Sequence, residues 1–282
     1  MPEKEISLGP KKILLSGGTG FLGSHVSRRL VNEGHDVTIL KRSFSSLNRI
    51  GDLVDKLRLV NTEDFTGGEY DLFINAASNY GRSGESEEEM LRANTEFPLE
   101  ILRKIEREPL HLININTSLP SSMNLYAKSK HLFIEKFRAE FPTLTCTNLL
   151  VEQFYGPGDG TFISFLVNNL KSDKKEIKLT LGEQKRDFIY YEDVVEAIVQ
   201  VSKHLYNGDI QVGTGQGVLI KDVVKKLASE LSADLDRVNF GGLEYRKNEV
   251  MNSIADISSI KELGWEPKVF IDEGIKKVVE NL

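Results

Sequence analysis

Short apolar runs alternate with longer amphipathic segments along the first half of this chain. A short apolar run is typical of a buried strand, and apolar residues spaced three and four apart are typical of a helix. The pattern predicts strands at 12–16, 36–40, 57–60, 71–76, 110–117 and 144–151, and helices at 20–33, 45–54, 86–107 and 124–140. Alternating strands and helices form a parallel sheet with helices on both faces. We therefore predict an α/β protein built on a doubly wound, Rossmann-type parallel sheet.

The pattern changes after residue 153. A turn-rich stretch is followed by a predicted helix at 162–170 and a charged loop at 171–178. Apolar segments further on indicate that residues 187–213 return to the first sheet. The sequence thus predicts a Rossmann domain, 1–153, with that returning segment. It also predicts a smaller C-terminal α/β lobe, 154–186 and 214–282, which would bind the substrate.

A glycine-rich loop joins the first predicted strand to the first predicted helix. Gly18, Gly20 and Gly23 fit the spacing G-x-G-x-x-G, which lets the backbone approach a pyrophosphate at the helix amino terminus. The sequence therefore predicts a dinucleotide site. Its expected contacts in this loop are Gly17, Thr19, Gly20, Phe21 and Leu22.

The second predicted strand ends in Lys41, Arg42 and Ser43, and no carboxylate follows until Asp52. An NAD site usually has an acidic residue here, which binds the ribose 2′-hydroxyl. A guanidinium and an ammonium would instead bind a 2′-phosphate. The predicted cofactor is therefore NADP(H), with Arg42 as its main 2′-phosphate contact.

Composition and charge narrow the function classes. The net charge of −6 disfavours a nucleic-acid partner, and the histidines show no metal-ligand spacing. The single cysteine, Cys146, lies in an apolar stretch and is expected to be buried rather than nucleophilic. The polar start, 1–12, is unlike a signal peptide, and no apolar run is long enough to span a membrane. We expect a cytoplasmic enzyme.

Tyr126 and Lys130 lie four residues apart on a predicted helix and so share a face. A nearby ammonium stabilises a phenolate and moves the phenol pKa toward the working range. Thr117 and Ser118 follow the preceding strand and could hydrogen-bond a substrate carbonyl. We predict these four residues as the catalytic group, with Tyr126 and Lys130 also contacting the cofactor.

Together, the glycine loop, the Tyr126/Lys130 pair and the strand-end Thr117 resemble the extended short-chain dehydrogenase/reductases. The resemblance implies a Rossmann domain and a sugar-nucleotide lobe, and it is compatible with a homodimer. It implies that Ala76 and Ala77 line the cofactor. It also implies that Arg186 and Arg246 bind the diphosphate of a sugar nucleotide, as two planar guanidinium groups can.

Further segments resemble reductases of nucleotide-linked 4-keto-deoxysugars, the CDP-abequose/paratose synthase type. Among them are Asn79-Tyr80-Gly81 and Asn248-Glu249-Val250-Met251. The resemblance implies ketone reduction by NADPH, with Tyr80 and Gln153 as candidate sugar contacts. Two alternatives stay open at this point: an NAD-dependent nucleotide-sugar 4-epimerase, and a non-catalytic NADP(H)-binding sensor.

Overall fold

The computed structural model describes residues 9–105, 110–173 and 175–282. Most of the predicted polar start, the end of the predicted helix 86–107 and one residue of the predicted charged loop lie outside the described residues. No helix in these ranges is both long and apolar enough to cross a lipid bilayer. The chain divides into two units, residues 1–150 with 195–210, and residues 151–194 with 211–282.

The first unit is built on a seven-stranded parallel sheet, in the order β10-β6-β5-β4-β1-β2-β3. Its strands are β1 (Lys12–Ser16), β2 (Asp36–Lys41), β3 (Arg58–Asn61), β4 (Leu72–Asn75), β5 (His111–Thr117), β6 (Thr145–Val151) and β10 (Gly208–Val212). Strands β1, β4 and β5 are almost wholly buried, as expected for a sheet covered on both faces. The order and burial confirm the predicted Rossmann-type fold.

Helices connect these strands as the alternating pattern predicts. They are α1 (Phe21–Asn32), α2 (Glu87–Leu91), α3 (Phe97–Leu102), α4 (Leu125–Glu140) and α6 (Tyr191–Val201), the last of which begins in the second unit. The predicted helix at 45–54 is wrong. Only a 3-10 turn forms there, at Gly51–Lys56, because the preceding serines and Asn48 favour turns over helix.

The predicted helix at 86–107 is interrupted. A π-helical turn, Arg92–Glu96, separates α2 from α3. Ser86 begins α2 with a capping box, because its side chain accepts from the Glu89 N–H and the Glu89 side chain accepts from the Ser86 N–H. Such π-helical turns are frequent at functional sites, and this one carries Asn94, whose contacts are described below.

Buried amides form a continuous row across the central sheet. Ser16 donates to Asn75 at 2.8 Å, Asn75 donates to Asn114 at 2.9 Å, and Asn114 donates to Asn148 at 2.8 Å. Asn148 then donates to Asp209 at 2.9 Å. The strand register places Ser16 opposite Asn75 and Asn75 opposite Asn114. This asparagine row therefore links β1, β4, β5, β6 and β10 through side chains as well as through the backbone.

The second unit is a smaller α/β assembly. Its sheets contain β7 (Gln153–Tyr155), β8 (Ile177–Leu179), β9 (Lys185–Tyr190), β11 (Gly217–Leu219), β12 (Val238–Phe240) and β13 (Asn252–Ser253). Its helices are α5 (Phe162–Lys171), α7 (Ile220–Glu230), α8 (Ser258–Glu262) and α9 (Ile271–Glu280). Strand β9 is central, pairing with β7, β11 and β13. Residues 195–210 group with the first unit, whereas the predicted returning segment runs over 187–213.

Candidate active site

The glycine loop requires glycine at two positions in particular. Gly17 has φ +74°, and a Cβ there would lie 2.6 Å from the Ala77 nitrogen. A Cβ on Gly23 would lie 2.1 Å from the Gly17 carbonyl oxygen. At Gly18 a Cβ would meet only the Ile39 side chain, at 2.9 Å. Gly17 and Gly23 are therefore the positions at which neighbouring backbone excludes a side chain, and Gly17 lies one residue before the G-x-G-x-x-G spacing that starts at Gly18.

Helix α1 begins directly after this loop, with Gly20 as its amino-terminal cap. The first turn of a helix has backbone N–H groups without partners inside the helix, and its amino terminus carries a partial positive charge. Phe21 and Leu22 form that turn, and Thr19 lies in the loop before it. Ala76 and Ala77 follow β4, and their backbone packs against Gly17. These residues form a cradle suited to a pyrophosphate.

The two cations at the end of β2 have different surroundings. The Lys41 ammonium donates to the Asn61 amide oxygen at 2.8 Å and lies 3.4 Å from the Arg42 carbonyl oxygen. The Arg42 guanidinium is exposed and lies 4.7 Å from the ring centre of Phe44, which is itself 76% exposed. Ser43 follows in the same turn and is exposed. Arg42 is therefore the more accessible of the two cations.

Helix α4 carries the predicted Tyr126/Lys130 pair and begins at the Asn124 cap, whose side chain accepts from the Ala127 N–H. Lys130 is fully buried, and its ammonium lies 3.5 Å from the Ala77 carbonyl oxygen and 3.4 Å from the Ser78 hydroxyl. Burial lowers the pKa of Lys130 to about 7. Burial also raises the pKa of Tyr126 well above its ordinary value.

Ser78, Tyr80 and Arg82 surround the Tyr126 side chain. Besides burial, the neighbouring Tyr80 raises the pKa of Tyr126, whereas the Ser78 side chain lowers it. The Tyr80 and Tyr126 rings stack with their centres 4.8 Å apart. The Arg82 guanidinium lies 4.8 Å from the Tyr80 ring centre, on the same segment after β4. Ser78 therefore stands between Tyr126 and the Lys130 ammonium, a link that helix spacing alone does not reveal.

Asn94, in the π-helical turn, holds this segment in place. Its amide oxygen accepts from the Asn79 N–H at 2.7 Å, and its amide nitrogen donates to the Asn79 carbonyl at 2.8 Å and to the Ser129 hydroxyl at 2.9 Å. Ser129 donates in turn to the Tyr126 carbonyl at 2.8 Å. One buried amide thus ties the residue before Tyr80 to the helix that carries Tyr126.

The hydroxyl predicted at the end of β5 forms a hydrogen bond within its own turn. Thr117 ends β5, and its hydroxyl oxygen accepts from the Leu119 N–H at 3.2 Å. Its hydroxyl proton is left to another acceptor, because a hydroxyl both donates and accepts. Ser118 is half-buried in the following turn. In the structure, the hydroxyl residue that lowers the pKa of Tyr126 is Ser78, which follows β4 rather than β5.

The predicted diphosphate arginines lie in the second unit. Arg186, on β9, is almost fully buried and forms an ion pair with Glu249 at 2.5 Å. Strand β13 runs parallel to β9 and keeps the preceding segment, with Arg246 and Glu249, close to Arg186. Burial and charge repulsion from Arg246 both lower the pKa of Arg186, while Glu249 and Glu152 raise it. The structure therefore brings the two predicted arginines together, and it adds two carboxylates.

Several other predictions concern single residues. Gln153 begins β7 in the second unit and is half-buried. Cys146 is buried, as expected, and burial raises the pKa of its thiol to about 12. Among the described residues, no group of three or more histidine, cysteine or acidic side chains could hold a metal ion.

Comparison with known proteins places the chain in a family. A model of the NAD dependent epimerase/dehydratase family matches residues 13–213. The chain belongs to this family. The family is that of the extended short-chain dehydrogenases/reductases, so the chain is an enzyme with a nicotinamide dinucleotide cofactor. The glycine cradle fits such a cofactor, because glycine at positions 17 and 23 lets backbone segments pack closely at the amino terminus of α1, where N–H groups can face a pyrophosphate.

Proteins similar to this chain are found both by sequence and by structure. CDP-abequose synthase of Salmonella muenchen is 30% identical, over 95% of this chain and 97% of that protein. UDP-glucose 4-epimerase of Thermotoga maritima, solved with UDP-glucose, has a TM-score of 0.79 at 24% identity and covers 96% of this chain and 98% of its own. A mutant of UDP-glucuronic acid 4-epimerase of Bacillus cereus, solved with UDP-4-deoxy-4-fluoro-glucuronic acid and NAD, has a TM-score of 0.80 at 19% identity, with 96% and 98% covered. The two solved structures show the fold of the family.

Proposed function

We propose that this enzyme uses NADPH to reduce the keto group of a nucleotide-linked 4-keto-deoxysugar. The observation that carries the proposal is the end of β2, where an exposed arginine occupies the place that an acidic residue takes in an NAD site. An epimerase returns its hydride to the same substrate, whereas a reductase must exchange its cofactor at every turnover. A cationic 2′-phosphate site suits the second case, because it selects the reduced cofactor pool. The likeness to CDP-abequose synthase supports the same reaction class.

Specificity for the 2′-phosphate would rest mainly on Arg42, with Ser43 beside it. The guanidinium is exposed and is stacked on Phe44, so it is preoriented without being neutralised by a carboxylate in the described structure. Lys41 would contribute less, since its ammonium is held by Asn61 and by backbone carbonyls. A guanidinium can donate two parallel hydrogen bonds to a phosphate, which an ammonium cannot.

Proton delivery would rest on Tyr126, with Thr117 or Ser118 holding the carbonyl oxygen. When bound, the cofactor supplies the hydride. Tyr126 would donate its hydroxyl proton to the carbonyl oxygen, and the Lys130 ammonium, reaching it through Ser78, would stabilise the phenolate that remains.

Substrate binding would rest on the second unit. Arg186 and Arg246 lie close enough to influence each other, and together they can offer several N–H donors to a diphosphate. Glu249 neutralises Arg186 in the structure, so a bound diphosphate would share or displace that ion pair. Tyr80 and Gln153 remain proposed sugar contacts, and the sugar and the base are left open by these residues.

The proposal is tested by following NADPH oxidation with a panel of nucleotide-linked 4-keto sugars. We expect turnover with at least one of them, and a preference for NADPH over NADH. Arg42→Ala should weaken NADPH binding about ten- to a hundredfold, because charge-assisted hydrogen bonds contribute about 1.5–3 kcal/mol. NADH binding should change little.

Arg58→Ala is a matched control, since Arg58 is an exposed arginine on the neighbouring strand β3. It should leave both cofactor affinities unchanged. Equal weakening of NADPH and NADH by Arg42→Ala would contradict the 2′-phosphate assignment. Tightly held NAD in the purified protein, with interconversion of 4-epimers and no net NADPH oxidation, would replace the reductase proposal by an epimerase.

A further inference from the structure

Two side chains lie beside Tyr126: one is next to the buried Lys130, and the other is exposed to solvent. Ser78 leads inward to the Lys130 ammonium at 3.4 Å, and Lys130 is fully buried. Tyr80 leads outward, because its ring stacks on the Tyr126 ring with the centres 4.8 Å apart and the residue is 41% exposed. A phenol that gives up its proton must recover one before the next turnover. Of these two partners, Tyr80 is the one that leads to solvent.

The surroundings of Tyr80 suit a transient negative charge. The Arg82 guanidinium lies 4.8 Å from the centre of the Tyr80 ring. The Tyr126 ring stacks on Tyr80 at 4.8 Å with the two planes 28° apart. A cation this close to a phenol ring stabilises its phenolate form, while the stack fixes the distance between the two hydroxyl groups.

The position of Tyr80 is set by buried hydrogen bonds. Asn94 binds both the N–H and the carbonyl of Asn79, the residue before Tyr80, and it also binds Ser129 of helix α4. The Asn79 side chain accepts from the Gly81 N–H at 2.9 Å, on the other side of Tyr80. The Tyr80 segment is therefore fastened to the helix that carries Tyr126, which keeps the two phenols paired.

We propose that Tyr80 is a proton-relay residue that returns a proton from solvent to Tyr126 after each reduction. The Tyr126 hydroxyl proton passes to the substrate oxygen, and the Tyr126 phenolate then takes the hydroxyl proton of Tyr80. The Tyr80 phenolate, held beside Arg82, takes a proton from water or a buffer acid. One solvent proton is consumed in each turnover, and both phenols end protonated. This inference rests on the proposed reductase function.

Tyr80→Phe provides the test, because it removes one oxygen and keeps the stacked ring. The first turnover should proceed at the wild-type rate, since Tyr126 starts protonated. Later turnovers should be slow, with kcat at least about tenfold lower, as expected when a positioned acid–base group is lost. A burst of one product per active site should therefore appear, while KM stays within about twofold of wild type, because the Tyr80 ring, the part proposed to contact the sugar, is kept.

Four comparisons sharpen this test. A small buffer acid such as imidazole at high concentration should restore kcat of Tyr80→Phe and leave the wild type unchanged. Arg82→Gln should slow later turnovers in the same way, and Arg82→Lys should restore part of the loss because it keeps the charge. Tyr206→Phe, a tyrosine outside the stack, should behave as the wild type. Tyr126→Phe should show no burst, because the first proton transfer is missing.

A second measurement needs neither cofactor nor substrate. In the apo protein labelled with 13C at tyrosine Cζ, the Tyr80 resonance is assigned by its loss in Tyr80→Phe. It should shift in Tyr126→Phe, which removes the neighbouring hydroxyl and keeps the stacked ring. It should stay in place in Tyr206→Phe. If the Tyr80 resonance has the same chemical shift in Tyr126→Phe as in the wild type, the relay is overturned.

The kinetic outcomes separate the relay from the reaction itself. If the wild type reduces no 4-keto sugar nucleotide, the proposed function fails and the relay fails with it. If the wild type is active and Tyr80→Phe has a normal kcat, the relay alone is wrong. A rise in KM alone would make Tyr80 only a sugar contact. A slow first turnover would place Tyr80 in the chemical step itself, and either result would overturn the relay.

Discussion

Burying the Lys130 ammonium in the candidate site lowers the free energy of unfolding of the protein. Its ammonium is fully buried, its two oxygen contacts are long, and among the described residues no carboxylate forms an ion pair with it. Burying an unpaired charge destabilises the folded state. The enzyme thus gives up stability to keep a cation beside Ser78, and this is typical of a functional position.

Lys130→Met should therefore stabilise the apo protein while abolishing turnover. The pKa of about 7 in the folded state lies below the ordinary 10.5, so the cost is full below pH 7 and vanishes above pH 10.5. We expect the free energy of unfolding in urea at pH 6 to rise by about 2–4 kcal/mol. Lys128→Met, on the exposed face of the same helix, should change it by less than about 0.5 kcal/mol. A destabilised Lys130→Met protein would contradict this interpretation.

At the scale of single residues, the sequence predicts the Tyr126/Lys130 pair but not the side chains that lie around it. The spacing of Tyr126 and Lys130 follows from helix geometry, and the structure places both on helix α4. Ser78 and Arg82 lie in an irregular segment without periodicity, so nothing in the sequence brings them to Tyr126. The choice between Gly17 and Gly18 also needed backbone geometry, since either reading fits the letters of the motif.

The register of the central strands is set in two ways, by backbone pairing and by the side chains of the asparagine row. A shift of β5 against β4 by one residue would turn Asn114 to the other face of the sheet and leave its partners unpaired. The row therefore fixes register as well as contributing hydrogen bonds. Strand positions were predictable from the apolar runs, whereas the row was not, because its members become neighbours only once the strand order is known.

Asn114→Ala should be strongly destabilising although it lies outside the candidate site. The change leaves the Asn75 amide without its acceptor and removes one donor from Asn148. A buried polar group left unsatisfied costs about 1–3 kcal/mol, so we expect a loss of about 2–4 kcal/mol in urea unfolding. Asn48→Ala, at an exposed turn position, should cost less than about 1 kcal/mol. Equal effects would mean that the row contributes little.

The pairing of β13 with β9 decides which arginine can be tested cleanly. Arg186 is buried against Glu249, so its removal would leave a carboxylate unpaired and destabilise the second unit. Arg246 is exposed and can be removed without that cost. Arg246→Ala should raise KM for the sugar nucleotide about tenfold or more and leave NADPH affinity and urea stability unchanged. Lys247→Ala, its exposed neighbour, should leave KM unchanged. An unaltered KM in Arg246→Ala would remove that residue from the diphosphate site.

For the molecule as a whole, stability should depend on pH through His111. This histidine is buried in β5, and burial, with Lys11 nearby, lowers its pKa to about 4. The neutral form is bonded to the Thr147 hydroxyl at 2.8 Å. Since the ordinary pKa is 6.5, the stability that neutral His111 provides is full above pH 6.5 and is lost as the pH falls toward 4.

The wild type should therefore lose about 2–3 kcal/mol of unfolding free energy through His111 between pH 7 and pH 4.5. His111→Gln, which keeps a polar group near Thr147 and cannot titrate, should lose that much less over the same interval. His204→Gln, just after helix α6, should follow the wild-type curve. The measurement is urea unfolding at several pH values. Parallel curves for His111→Gln and the wild type would show that another group controls acid stability.

The asparagine row has a consequence for how this sequence can change over generations. Replacing one side chain of the row by an apolar one leaves the amide or carbonyl of its neighbour without a hydrogen-bond partner inside the sheet. Replacing the whole row by apolar residues of similar shape removes donors and acceptors together. The lineage can therefore drift at these positions only in concert or by recruiting a substitute partner. Positions 75, 114 and 148 should covary among related chains, even though none of them touches the chemistry.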